Sequence, residues 1–452
     1  MNSILSSNSN SSMISTLSQT EAVVNPSDYS LNKIYPFTSF QQVVIPPLNQ
    51  ASTYTTNSQL SFDLNKYGIL TSIILKIQGT HTGNTDGTTS SHTTGGYSKL
   101  GWINAIKEVE LLSSSRSVQK LSKTDILASF SDMPHEVRRS LIEGVKGGNY
   151  SGQTDDVMLK EHSMYLPLVF PILQNRMSAS AGANLSFQEP MRLIVRLESD
   201  GWCFTGGSAN FAKVATSVSS VEAVCNYINY DAQEEDKLLN SNYGDGQMSL
   251  LTYNFHDENP TSSGATGATA GKVLDCEIKD TSVVSDIYFY VCPPSSQAQS
   301  LTGTAITNTS VDLLEVPMEL ETIKLEASGQ TIVNCDAKLL ELWGRPTDKD
   351  FFGAGIFANT VGSTVPTFND CGLNYIYKIQ LGQSLEKSFC SGGNSLRELN
   401  NVKLTVKVKN KFEIKSTSTV VVGEVELRVV LRNHQILTID SSNGRVQSSI
   451  NN

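Results

Sequence analysis

Two stretches of this chain, more than two hundred residues apart, read as one segment written twice. Ile106–Val118 (IKEVELLSSSRSV) aligns without a gap with Leu320–Ile332 (LETIKLEASGQTI), Ser114 falling on Ser328 at an offset of 214. Each alternates apolar and polar residues, enters a tight turn of small residues and returns to an apolar position. Period-two alternation is the mark of a half-buried strand. A second pair follows in the same order: Met191–Leu197 (MRLIVRL) and Val402–Val408 (VKLTVKV), offset by 211, each preceded by a Gly-containing turn and an Asn (Gly182-Ala183-Asn184; Gly392-Gly393-Asn394). A third pair, Ser220–Val224 and Glu424–Arg428, is offset by 204. One match between strands means little, but three in order at similar offsets predict a single all-β domain duplicated in tandem.

Length and composition agree. At 452 residues the chain exceeds one ordinary core and suits about two domains of roughly 200 residues. Charged residues are 17%, below the average of about 25% for soluble proteins. Ser, Thr, Asn and Gly fill the difference, and they favour turns and strands. Short strand patterns run from Phe40 onward: Gln41–Ile45 ending at Pro46-Pro47, Gln59–Leu64, Ser72–Ile77, Met164–Phe170 and Tyr375–Leu381. Each half offers about eight, as many as a jelly roll needs. Helix patterns are short: Ser122–Phe130, His135–Val145 and Cys335–Trp343. The lack of long amphipathic helices excludes a doubly wound α/β enzyme.

The expected organisation is an arm over 1–30, a first jelly roll over 31–232, a linker over 233–245, a second jelly roll over 246–440 and a tail over 441–452. The segment is about half Ser, Thr and Asn, too polar to fold alone; an arm and a leader without a role both fit that composition. The hydrated acidic stretch Tyr230–Lys237 suits the connection between two cores. Two low-complexity stretches, Gly79–Gly96 and Thr261–Gly271, read as exposed loops.

The net charge of −10 argues against dense contact with nucleic acid, which needs Lys/Arg stripes to neutralise phosphates. Seven cysteines include no C-x-x-C pair, and several lie in apolar runs such as Tyr290-Val291-Cys292; buried free thiols are expected. The first residues carry no basic and apolar signal pattern, and no apolar run approaches the ~18 residues that span a bilayer.

Chemistry-bearing motifs fail one by one. Gly267–Val273 is one residue short of a phosphate-binding loop, and Val273 stands where a magnesium-binding Ser/Thr is needed. His135–Arg139 starts like a zinc-protease helix, but Arg139 occupies the second His position. His256-Asp257-Glu258 offers ligand atoms, yet adjacent loop residues rarely converge on one ion, and the acidic run 231–236 lacks the glycine spacing of a calcium loop. Trp102, Trp202 and Trp343 are too far apart to suggest a stacking platform. No catalytic, cofactor-binding or metal-binding residue is therefore nominated, and no enzyme is expected.

Ile323–Ile332, continuing to Leu342-Trp343, resembles a motif of the double jelly-roll major capsid proteins of large nucleo-cytoplasmic DNA viruses, virophages and Polinton-like viruses: a hydrophobic–Glu–hydrophobic strand, a small Gly turn, an Ile/Val and a Trp- or Leu-containing helix. Glu108–Phe130 is similar, with Ser114-Ser115 where a Gly pair is common, and Gly393–Leu399 resembles the segment ahead of a late strand. The resemblance implies two tandem eight-stranded jelly rolls with short helices in their connections. It implies a homotrimer of six barrels forming a pseudo-hexameric capsomer in the shell of an icosahedral DNA virus. Expected partners are neighbouring capsomers, minor capsid and penton proteins, and an internal membrane where one is present, with no direct sequence-specific nucleic acid. Localisation would be the virion. The alternative from another class is a tandem β-sandwich adhesin binding carbohydrate or a receptor, which would need an export route.

Overall fold

The computed structural model describes residues 37–50, 54, 58–64, 68–82, 96–97, 103, 106–113, 116–130, 162–174, 191–198, 204–205, 215–230, 247–263, 272–280, 282–292, 320–343, 376–382, 393–396, 398–399, 401–408, 425–440 and 446–450. The first half contains β1 (Phe37–Ile45), β2 (Gln59–Leu64), β3 (Ile69–Thr82), β4 (Gly96–Tyr97), β5 (Ile106–Ser113), β6 (Arg116–Ser122), α1 (Lys123–Phe130), β7 (His162–Leu168), α2 (Pro171–Gln174), β8 (Met191–Leu197), β9 (Phe204–Thr205) and β10 (Ala215–Tyr230). The second contains β11 (Gln247–Asp257), β12 (Thr261–Ser263), β13 (Val273–Ile278), β14 (Val283–Cys292), β15 (Leu320–Ala327), β16 (Gln330–Asp336), α3 (Ala337–Trp343), β17 (Tyr377–Gln380), β18 (Asn394–Ser395), β19 (Val402–Val408), β20 (Val425–Asp440) and β21 (Val446–Ile450).

Each half makes two four-stranded antiparallel paths with one plan. In the first they run β1-β10-β3-β7 and β2-β8-β5-β6; in the second, β11-β20-β14-β17 and β13-β19-β15-β16. Strand for strand the orders correspond, so each half is an eight-stranded jelly roll. The expected duplication holds down to a single residue. Leu111 pairs with Gln119 and Leu112 with Ser117, leaving Val118 as the extra residue of a bulge. Leu325 pairs with Val333 and Glu326 with Thr331, leaving Ile332 extra. Val118 and Ile332 are partners at the same offset of 214. The β15–β16 turn has positive φ at Ser328 (51°) and Gly329 (74°), the two-residue geometry whose twist matches a hairpin.

Alternation builds the cores. Leu60, Phe62 and Leu64 of β2 face Ile73, Leu75 and Ile77 of β3 inside the first roll. Ile323 and Leu325 of β15 and Leu404 and Val406 of β19 close the second against Ile287 and Phe289 of β14. Phe289 stacks on Tyr377 with ring centres 5.9 Å apart, and the Tyr377 hydroxyl accepts a hydrogen bond from Leu320 N at 3.1 Å. The four described cysteines, Cys225, Cys276, Cys292 and Cys335, are buried and free, and burial pushes the Cys225 thiol up to about 12.

The outer faces of the two sheets differ in chemistry. Those of β2-β8-β5-β6 and β13-β19-β15-β16 are laced with cross-strand ion pairs: Arg192–Asp63 (2.8 Å), Arg196–Glu108, Lys403–Asp275 (2.8 Å) and Lys407–Glu321 (2.9 Å). Such exposed pairs add little stability, about 0–1 kcal/mol each, but they keep a sheet face wet. The other two sheets carry apolar side chains outward, and that of the second roll, β11-β20-β14-β17, meets the first roll.

Several expectations are adjusted. The loop expected at Gly79–Gly96 is partly strand: β3 runs on to Thr82 because Gly79–Thr82 pair with Ala215–Val218 of the long β10, and Gly96-Tyr97 pair with β9. Thr261–Ser263, expected in the second loop, pair with β20, and Asn394, expected in a turn, pairs with Val284. Helix α1 starts one residue later than expected. Helix α3 starts two later, because Cys335 and Asp336 still pair with Ile323 and Thr322. The expected arm, the linker, the helix over His135–Val145, the side chains of all three Trp residues and most of both loops lie outside the described residues.

Candidate functional site

Among the described residues, buried polar and aromatic groups gather where the first roll meets the second. From the first come β6 and helices α1 and α2. Gln119 of β6 is 3% exposed and uses both ends of its amide: Nε2 donates to Tyr253 O of β11 at 2.8 Å, and Oε1 accepts from Ile172 N of α2 at 3.0 Å. Arg428 of β20 reaches across to donate to Thr124 Oγ1 at 3.5 Å. Around these bonds Phe255, Tyr288, Tyr290, Val430 and Leu437 of the second roll join the apolar cluster of the first. The second roll keeps a separate core behind β14.

This explains β14. Nine of its ten residues, Val284–Cys292, are buried whichever way they point. Inward residues fill the second core; outward residues lie on the face toward the first roll. A run apolar at both parities signals a strand covered on both faces. That signal is present in VVSDIYFYVC, although alternation alone did not nominate these residues as an interface.

Charge is buried on the same outer face. The Asp286 carboxylate pairs with the Arg432 guanidinium and lies 3.7 Å from Lys378 Nζ. Arg432 also donates to Ser285 Oγ at 3.2 Å and stacks over Tyr253 at 4.6 Å from the ring centre. Lys378 lies 5.7 Å from the Tyr288 ring centre. Two cations beside one carboxylate, all under a tenth exposed, hold each other in place.

At the start of α1, Ser122 and Asp125 form a capping box: Ser122 Oγ accepts from Asp125 N at 3.1 Å, and Asp125 Oδ2 accepts from Ser122 N at 2.7 Å. Asp125 Oδ1 is buried and has no hydrogen-bond donor, and its neighbour is the Asp257 carboxyl of β11. Burial, then the Asp257 charge, raises the Asp125 carboxyl well above the usual carboxylate range. A folded-state pKa above the unfolded one gives stability that is complete below about pH 4 and is lost as pH rises through the folded value. Asp125→Asn keeps an acceptor for the cap and carries no charge. We expect its stability relative to wild type to grow as pH increases above about 4, measured by urea denaturation across pH 4–9; a constant difference would contradict the carboxyl pairing.

The residues weighed from sequence do not converge. Exposed His256 and Asp257 end β11, whereas Glu258 is buried and its Oε1 accepts from Lys279 N (3.1 Å) and Asp280 N (3.0 Å). That carboxylate serves a turn. Among the described residues no group of three His, Cys, Asp or Glu side chains is placed to hold a metal. Residues 135–139, 231–236 and 264–271 lie outside the described residues.

No family model matches the chain, and no curated protein does. Solved structures do. A protein of the PBCV-1 virus capsid superposes with a TM-score of 0.61 at 14% identity, covering 93% of this chain and 100% of its own. The Faustovirus major capsid protein gives 0.56 at 10%, covering 88% and 90%. The mavirus major capsid protein gives 0.52 at 10%, covering 92% and 91%. Identities this low speak for the fold alone, and the fold is that of the double jelly-roll major capsid proteins of large DNA viruses and virophages.

Proposed function

We propose that this chain is a major capsid protein. Three copies form a pseudo-hexameric capsomer, and capsomers tile the shell of an icosahedral DNA virus. The supporting observation is the pairing of two corresponding jelly rolls in one chain, packed flank to face. Two such barrels per chain let a threefold oligomer present six similar barrels, the outline that fills a hexagonal lattice while the oligomer stays closed. Function here is assembly, with no catalysis. The ion-paired sheet faces suit solvent; the apolar ones suit burial against neighbours.

On this reading the rolls span 31–232 and 246–440, joined by 233–245. The arm over 1–30 ties a capsomer to neighbouring capsomers or to minor capsid and penton proteins; in the tail over 441–452, Val446–Ile450 pair with β20. An internal membrane, where present, would separate this acidic protein from the genome.

Native mass spectrometry of the purified full chain tests the proposal. The expected mass is three times 49.1 kDa at micromolar concentration. A stable monomer would overturn it.

A further inference from the structure

Two carboxyls, one from each roll, meet at the contact between the rolls. Asp125 lies in the first turn of α1, which packs against β11 and β20 of the second roll as well as β5 and β6 of its own. It is 4% exposed. Its Oδ2 caps the helix, and its Oδ1 has no hydrogen-bond donor among the described residues. Its side-chain neighbour is Asp257, the last residue of β11. Asp257 is exposed, so a proton on the pair exchanges with solvent there. A buried carboxyl oxygen without a donor, beside a second carboxyl, is satisfied when one proton lies between them.

The fold itself demands neither carboxyl. At the offset of 214 that relates the two helices, Leu339 stands where Asp125 does. Asp257 pairs with Val430, and at the offset of 204 that relates β20 to β10, Gln42 pairs with Asn226. The duplicated positions are neutral, so the two carboxyls belong to the surfaces that meet.

The other charges on the elements around α1 have their own partners or face water. Glu108 and Glu110 of β5 lie beside Arg196, and Lys120 of β6 pairs with Glu108. Lys107 and Arg116 on the same strands are exposed. On β20, Arg428 reaches Thr124 but pairs with Glu426 at 3.6 Å, and Arg432 pairs with Asp286. His434 lies edge-on to the Tyr253 ring at 5.3 Å. His256 of β11 is exposed, and Glu258 beyond it binds the Lys279–Asp280 turn. Lys123 of α1 is buried. Amid these groups, burial and the Asp257 charge keep the proton on Asp125.

We propose that Asp125 and Asp257 form a proton-operated clasp: one shared proton closes α1 of the first roll on β11 of the second, and its loss leaves two facing carboxylates that slacken the seam. The clasp lies within one chain and does not depend on how copies associate. Opening returns Asp125 to the ordinary carboxyl range near pH 4. The closed seam therefore holds one proton more than the open one. Opening is rarest below about pH 4 and becomes more frequent by about tenfold per pH unit, until the closed pair itself ionises.

Hydrogen exchange of the full-length chain across pH 4–9, corrected for the intrinsic chemical rate, tests the clasp. In wild type the protection of the Leu127–Phe130 amides is expected to fall by about tenfold per pH unit above about pH 4 and then level off, while β2 and β15 in the two cores keep theirs. Asp125→Asn removes the titrating group, and its α1 profile is expected to be flat. Asp257→Asn, at an exposed position, removes the facing charge and offers Oδ1 an amide donor, so its profile is expected to flatten too. Should Asp125→Asn fail to fold, Asp257→Asn alone decides. An α1 protection independent of pH in wild type would overturn the clasp. So would the full wild-type fall in Asp257→Asn, or a loss of protection in β2 and β15 that keeps step with α1.

Discussion

Replacing Asp286 with alanine is expected to destabilise the second roll by about 3–5 kcal/mol. The carboxylate stands between Arg432 and Lys378, and none of the three side chains is more than a tenth exposed. Without it Arg432 loses that carboxylate and retains Ser285 Oγ and the Tyr253 and Tyr288 rings among its partners. A cation stacked on an aromatic ring recovers about 0.5–2 kcal/mol, less than the penalty of removing a buried carboxylate that pairs with a buried cation. Native-state hydrogen exchange reads this locally. Amides of β14, β17 and β20 should exchange roughly 100-fold to several-thousand-fold faster, and those of β2 and β5 in the first roll much less. A change below about tenfold would mean that the buried charge is relieved by water or by rearrangement.

Phe289→Ala is expected to cost a similar amount, about 3–5 kcal/mol, for an unrelated reason. The ring is fully buried at the middle of β14, stacked on Tyr377 and enclosed by the second core. Strands pair on both sides of it, Val429 of β20 on one and Tyr377 of β17 on the other. The sheet cannot collapse into the void without breaking ladder bonds, so transfer and cavity terms both apply. A fall in urea midpoint matching 3 kcal/mol or more is the expected result. Phe289→Leu, which keeps most of the volume, should recover more than half of it. A small loss for alanine would show a loosely packed core.

Much of the fold was legible in the sequence because a jelly roll uses the most readable pattern there is. Met191–Leu197 and Val402–Val408 were bounded to the residue, since alternation, a preceding turn and β-branched content all agree there. The match of Ile106–Val118 to Leu320–Ile332 held to the bulge. Long strands were harder. β10 and β20 each span 16 residues, three times what their matched cores suggested. They continue through Ser/Thr-rich or mixed sequence because a partner strand is there to pair with, and a partner is not local information. Gly79–Thr82 became strand for the same reason.

The inter-roll contact was the least legible part. Gln119 carries no motif, and its two hydrogen bonds come from Ile172 and Tyr253, 53 and 134 residues away. Asp286, Arg432 and Lys378 look like ordinary solvated charges on alternating strands until the folded chain brings them together. One trace existed: the apolar run Ile287–Cys292 in β14, which alternation does not explain.

Cryo-EM class averages of the purified full-length chain test most directly whether duplicated barrels make a threefold molecule pass for a sixfold one. The account requires particles with six peripheral densities, a hexagonal outline and strict threefold symmetry. Isolated two-lobed particles, or open chains of lobes that never close, would contradict it.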